Sequence, residues 1–138
     1  MDIQPYTSTE TLAVGRPWLM SMLGIEANQT VTLDLAAFDE GTHWMPPTAH
    51  QPERKLKSGI PLGRITASGL FGPYDSAATD GTQTFVGFLF TEIAYAPTST
   101  RAAAPLMVHG QIDADQLPVP FDPATLADGS NTQFVYKV

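Results

Sequence analysis

Thr84-Phe85-Val86-Gly87-Phe88-Leu89-Phe90-Thr91-Glu92-Ile93 is apolar at Phe85, Val86, Phe88, Leu89, Phe90 and Ile93. Aromatic and branched side chains favour extended backbone, and a run this dense has no polar face to give to water. The stretch therefore predicts a strand buried on both faces, in the domain core or at a subunit contact. Immediately upstream, Asp80-Gly81 is a strong tight-turn signal, and Gly72-Pro73-Tyr74-Asp75 is a second turn. Before these, residues 60–70 read as a strand bent at a glycine, with Ile60, Leu62 and Ile65 as its apolar positions.

Further out the same β character continues. Residues 30–35 alternate, placing Val31, Leu33 and Leu35 on one face and polar residues on the other. Residues 41–52 hold Pro46, Pro47 and Pro52 and read as a loop carrying His43, Trp44 and His50. Downstream, residues 96–104 read as a small-residue loop, residues 105–112 as a strand, and residues 134–138 as a short closing strand. Asp122-Pro123 suits the start of a short helix that Gly129 stops. With 11 Gly and 12 Pro in 138 residues, the sum is a mainly β single domain of short strands with one or two short helices.

The start of the chain is different. Residues 1–16 are rich in Thr, Ser, Glu and Gln without periodicity, which predicts an extended or disordered arm. Pro17 then opens an apolar cluster of Trp18, Leu19, Met20, Met22 and Leu23, compatible with one helical turn or an extended segment. The chain divides on this basis into residues 1–24, an arm with an apolar anchor, and residues 25–138, the β-rich domain. Trp18 suits either a partner contact or the core, and Trp44 sits in a loop context where large aromatics commonly anchor contacts.

Composition narrows the function. Seven Lys and Arg against 14 Asp and Glu give a formal net charge of -7, the wrong sign for a nucleic-acid footprint. Arg54, Lys55 and Lys57 do cluster, and read as a solvated loop. Charged residues are only 15% of the chain, against a usual ~25%, which fits a surface partly covered by an oligomer or partner, or one kept soluble by Ser, Thr and Gln. Neither a signal peptide nor a membrane span is evident, which predicts a soluble protein made in the cytoplasm. Cysteine is absent, removing disulfides, thiolate metal sites and thiol nucleophiles.

Catalytic patterns are equally sparse. No nucleophile elbow, phosphate loop or paired-histidine zinc motif occurs, so no catalytic residue, metal or cofactor is assigned. His43 and His50, with Asp39 and Glu40 nearby, permit a metal site to be drawn, against the simpler reading of exposed loop histidines. A small metal-dependent β-fold enzyme is thus one alternative function. Asp113-x-Asp115 lacks the further oxygen donors and the glycine of a calcium loop and reads as a solvated strand end.

The central framework carries a family likeness. It consists of Lys57-Ser58-Gly59-Ile60-Pro61-Leu62-Gly63-Arg64-Ile65-Thr66, Gly72-Pro73-Tyr74-Asp75, Ala77-Ala78-Thr79-Asp80-Gly81 and Phe85-Val86-Gly87-Phe88-Leu89. Val108-His109-Gly110-Gln111-Ile112 and Leu117-Pro118 follow it. In order and spacing this resembles the head decoration proteins of lambda-like phages, over about half the chain. The present sequence departs from the shorter lambda-type pattern in its longer start and in the Trp44 loop.

The resemblance implies a β-clip-like fold, homotrimers on the outer surface of the expanded phage head, and an N-terminal arm that orders against the major capsid protein. On that reading the location is the virion capsid surface and the partners are the major capsid protein and the chain itself, with neither nucleic acid nor membrane. The candidate capsid-binding residues are Tyr6, Thr7, Thr9 and Thr11 in the arm, with Trp18 and Leu19 at its end. Another virion or tail adhesion module is the remaining alternative.

Overall fold

A computed structural model describes residues 16–21 and 28–137 of the chain. Among them the protein is mainly β, with ten strands and three short 3-10 turns, and no helix is long and apolar enough to cross a membrane. Five strands close a barrel: β1 (Gln29–Asp34), β5 (Phe71–Pro73), β4 (Pro61–Arg64), β6 (Phe85–Leu89) and β8 (Arg101–Met107), in that order. All neighbours are antiparallel except β1 and β5, which run parallel through Leu33 and Phe71. A small sheet of β2 (Trp44–Met45), β3 (Arg54–Leu56) and β7 (Ile93–Tyr95) packs on one side. On the other, β9 (Gly110–Ile112) pairs in parallel with β10 (Phe134–Tyr136).

β6 is the wall between two cores. Leu89, with Leu33, Leu56, Ile60, Leu62 and Leu106, fills the first; Phe85 and Phe88, with Trp18, Leu19, Met107, Ile112 and Phe134, fill the second. The dense apolar run therefore is buried on both faces, as its composition requires. Phe85 and Phe88 stand three residues apart, a spacing that simple alternation would send to opposite faces. A register shift reconciles them: Gly63 pairs with Phe85 and Leu62 with Gly87, so Val86 is an extra residue in the strand. That bulge returns both phenylalanines to one side. Their rings lie 5.0 Å apart, and Phe121 and Phe134 complete an aromatic group around them, edge-on to Phe88 and tilted to Phe85.

Several boundaries differ from the sequence reading, each for a visible reason. The strand expected over residues 84–93 ends at Leu89, and the chain turns so that β7 joins a different sheet, with Arg54 opposite Tyr95. The expected strand over residues 60–70 stops at Arg64, because the Ile65 N–H turns to the Leu70 carbonyl and Gly69 returns its N–H to Ile65 in a tight loop. The presumed loop at residues 96–104 becomes strand from Arg101, its alanines giving no periodic signal while pairing along the whole of β1. The expected strand at 105–112 splits into β8 and β9 as the chain leaves the barrel.

The basic cluster also changes character: Arg54–Leu56 is strand, Arg54 lies over the Trp44 ring at 4.3 Å, and Lys55 meets Glu92 at 3.4 Å. Trp44 itself is buried, its indole N–H donating to the Phe38 carbonyl at 3.1 Å. Asp122 does cap a short turn over Pro123–Thr125, accepting from the Ala124 N–H.

Barrel closure between β6 and β8 depends on Gly87. A methyl group there would collide with the Met107 carbonyl, which belongs to the rigid backbone of the neighbouring strand. Gly87→Ala is expected to lower the urea midpoint by an amount equivalent to about 2–3 kcal/mol or more, with an unchanged slope if the barrel remains cooperative.

Candidate functional site

The segment at Arg16 to Met20 joins the preceding chain to the domain and is held by side-chain, turn and backbone-pairing contacts. The Arg16 side chain donates through Nε to the Phe90 carbonyl at 2.7 Å and lays its guanidinium over the Phe90 ring at 4.3 Å. Pro17 and Trp18 form a turn closed by the Leu19 N–H on the Arg16 carbonyl at 3.0 Å. Beyond it the backbone runs antiparallel to β9. The Asp113 N–H donates to the Trp18 carbonyl at 2.8 Å, Leu19 bridges to Ile112, and the Met20 N–H donates to the Gln111 carbonyl at 3.1 Å. Residues 18–20 thus extend the β9–β10 pair by a third line of backbone.

Trp18 locks this arrangement from inside. Only 1% of it is exposed, its ring stacks on Phe88 with centroids 6.1 Å apart, and its indole N–H donates to Ser58 Oγ at 3.2 Å. The floor beneath the ring is Gly59, whose φ of 87° lies in the left-handed region. A Cβ at that position would sit 2.5 Å from the indole nitrogen, so glycine is required both by conformation and by the tryptophan.

The residues assigned from sequence therefore fall into two groups. Tyr6, Thr7, Thr9 and Thr11 lie outside the described residues. Trp18 and Leu19 are brought together, but as buried members of the second core, 1% and 4% exposed, which is the core alternative for Trp18. Ser58, Gly59, Phe88 and Ile112 build the site around them and were not singled out as site residues. Gly59 is legible as a glycine just before an apolar strand, but nothing local ties it to Trp18, which lies 40 residues before its neighbour Ser58.

The histidines do not converge. His50 is exposed, whereas His43 is 8% exposed rather than a surface loop residue. Its Nδ1 accepts the Asp39 N–H at 2.8 Å and its ring meets Phe38 edge-on. His43 lines an open cleft with Asp39, Tyr74, Asp75 and Asp80. Among the described residues no group of three or more His, Asp or Glu is gathered closely enough to hold a metal ion. Asp113 and Asp115 do not share a site either: Asp113 caps a 3-10 turn through the Asp115 N–H at 3.2 Å and pairs with Lys137 at 3.6 Å.

Burial pushes the His43 pKa below 6.5, the nearby Asp39 charge opposes this, and Lys57 reinforces it. Asp80 is held below 3.8 by hydrogen bonds from the Thr82 hydroxyl and N–H.

A model of the family described as bacteriophage lambda head decoration protein D matches residues 11–122. A search of curated proteins finds no match for the chain.

Two outcomes test this geometry. Trp18→Ala should destabilise the protein by about 3–5 kcal/mol, as for a large aromatic removed from a core, and Gly59→Ala should also destabilise by displacing the same ring. Both are read by chemical denaturation. For His43 the folded state prefers the neutral ring, so its contribution is complete above the unfolded value of 6.5 and is lost as pH falls from there through the lower folded pKa. The thermal midpoint should drop as pH falls below 6.5, above the range in which Asp80 titrates. His43→Asn, which keeps an acceptor for the Asp39 N–H, should remove that part of the drop.

Proposed function

The chain belongs to the bacteriophage lambda head decoration protein D family, and from that premise we propose that it binds the outer surface of an assembled phage head as a homotrimer and stabilises the shell. The role is structural rather than catalytic. The protein is made in the host cytoplasm and ends on the virion surface, its partners being the major capsid protein and further copies of itself.

The observation that supports this reading best is the root at Arg16 to Met20. Residues 1–15 precede a segment that is pinned by Trp18 and by backbone pairing to β9. Fully extended, they reach at most about 50 Å from that point. Their Thr- and Ser-rich composition suits pairing by main-chain hydrogen bonds with an exposed strand edge of the shell, with Tyr6, Thr7, Thr9 and Thr11 as contacts. Trp18 and Leu19 serve the same contact by holding the arm's end in place, and not by touching the shell.

Binding that occurs only on the assembled lattice shifts the assembly equilibrium toward that lattice by mass action. Three arms on one trimer make each later attachment intramolecular, so weak single contacts suffice.

Light scattering of the purified protein should give three copies, and the protein should co-sediment with expanded heads and raise their resistance to heat or chelators. A monomer that ignores heads would sink the proposal. Removal of residues 1–15 should leave the melting temperature within a few degrees of the intact chain and lower head binding at least tenfold. Undiminished binding after that truncation would locate the contact outside the arm.

A further inference from the structure

Three large apolar side chains stand exposed among the described residues: Met20, Met45 and Val135. Met45 is isolated on β2, opposite Lys55. The other two belong together. Val135 is the partner of Gln111 across the β9–β10 pair, and the Met20 N–H donates to the Gln111 carbonyl from the other side of the same strand. Partners across a sheet project to the same face, so Met20, Gln111 and Val135 form one row across three lines of backbone. Leu19 and Ile112, next to them in sequence, point inward to the second core. Met20 is 48% and Val135 65% exposed.

In a chain of net charge -7 this row contains no ionisable side chain; of the ionisable groups two residues away, beside β9 and β10, His109 is exposed, and Asp113 and Lys137 neutralise each other at 3.6 Å. Depletion of charge around exposed apolar side chains marks the centre of protein interfaces. A single exposed methionine is unremarkable. Two large apolar side chains aligned on a neutral sheet face, in a protein with so few charges, form a surface suited to a partner.

The position of the arm indicates which partner. Residues 1–15 lead into Arg16, and Met20 lies four residues beyond, on the same line of backbone. Whatever the arm pairs with is held beside this face at high effective concentration. We infer that the Met20–Gln111–Val135 row is the face on which the domain rests against the shell protein, a second contact that acts with the arm; this rests on the decoration reading above.

The test is the double variant Met20→Gln, Val135→Thr in the full-length chain. Both positions are exposed, and threonine keeps the branched β-carbon that suits a strand. The expected result is an unchanged melting temperature and an unchanged trimer, with affinity for purified expanded heads reduced about tenfold in a co-sedimentation titration. Val135→Lys alone should give a comparable loss by placing a charge on the neutral face.

Full affinity in both variants, alongside lost binding when residues 1–15 are removed, would overturn this inference and leave the arm contact standing. A variant that no longer forms trimers would also overturn it, because a second copy would then cover the row. Wild-type protein that fails to bind heads would remove the decoration reading itself.

Discussion

The indole of Trp18, held between Gly59 and Phe88, is the contact on which the rest of this structure turns. It closes the second core, because the stacked pair with Phe88 completes the aromatic group that Phe85, Phe121 and Phe134 form around the inner face of β6. It also fixes backbone at two distant places. One is the segment of residues 18–20, where the Trp18 carbonyl receives the Asp113 N–H. The other is the entry to β4, where the left-handed Gly59 passes its N–H to the Leu89 carbonyl. Loosening the ring would loosen the β9–β10 pair and the start of the barrel wall together, since the Trp18 backbone pairs beside the first and its indole bonds Ser58 at the second.

β6 is the element that lets one small domain support two cores. A regular strand with one face to each core would alternate its large side chains, and Phe85 and Phe88 would then be separated. The bulge at Val86 keeps both on the second face while Leu89 stays with Leu62 and Ile60 on the first. Gly87 has the complementary task of letting the β8 backbone come close. Gly87 and the bulge are consequences of the same crowding: with apolar side chains on both sides, space is found in the backbone.

These features mark the limit of what was legible in the residues alone. The mainly β class, the buried character of the Phe-rich strand and the capped turn at Asp122 were legible, because each depends on neighbours within a few positions. The bulge was not, since it is defined by pairing with β4. The parallel β1–β5 contact and the alanine strand of β8 were not either, because small side chains carry no period and closure depends on partners far along the chain. The core alternative for Trp18 could not be decided for the same reason: Ser58 and Gly59 become its partners only in three dimensions, and Trp44, in a loop context by sequence, is buried with its indole on the Phe38 carbonyl and the Arg54 side chain over its ring. His43, read as a loop residue, is buried because its Nδ1 takes the place of a backbone acceptor for Asp39.

The rooted end has a further consequence for how an arm of this composition can work. Ordering a residue costs about 1–2 kcal/mol of backbone conformational freedom, so an arm leaving a loose linker would need more contacts to reach the same affinity. Here the ordering of Arg16 to Met20 is supplied by folding of the domain, through the Phe90 carbonyl, the β9 edge and the Trp18 pocket. On the proposed reading, only the residues before Arg16 remain to be ordered on a shell, and they start from a fixed position and direction. That division also explains why a tryptophan at the end of a polar segment points into the protein. As an anchor on a partner it would strengthen one contact. Turned inward, on the proposed reading, it would strengthen every contact made by residues 1–15, whichever of them make it.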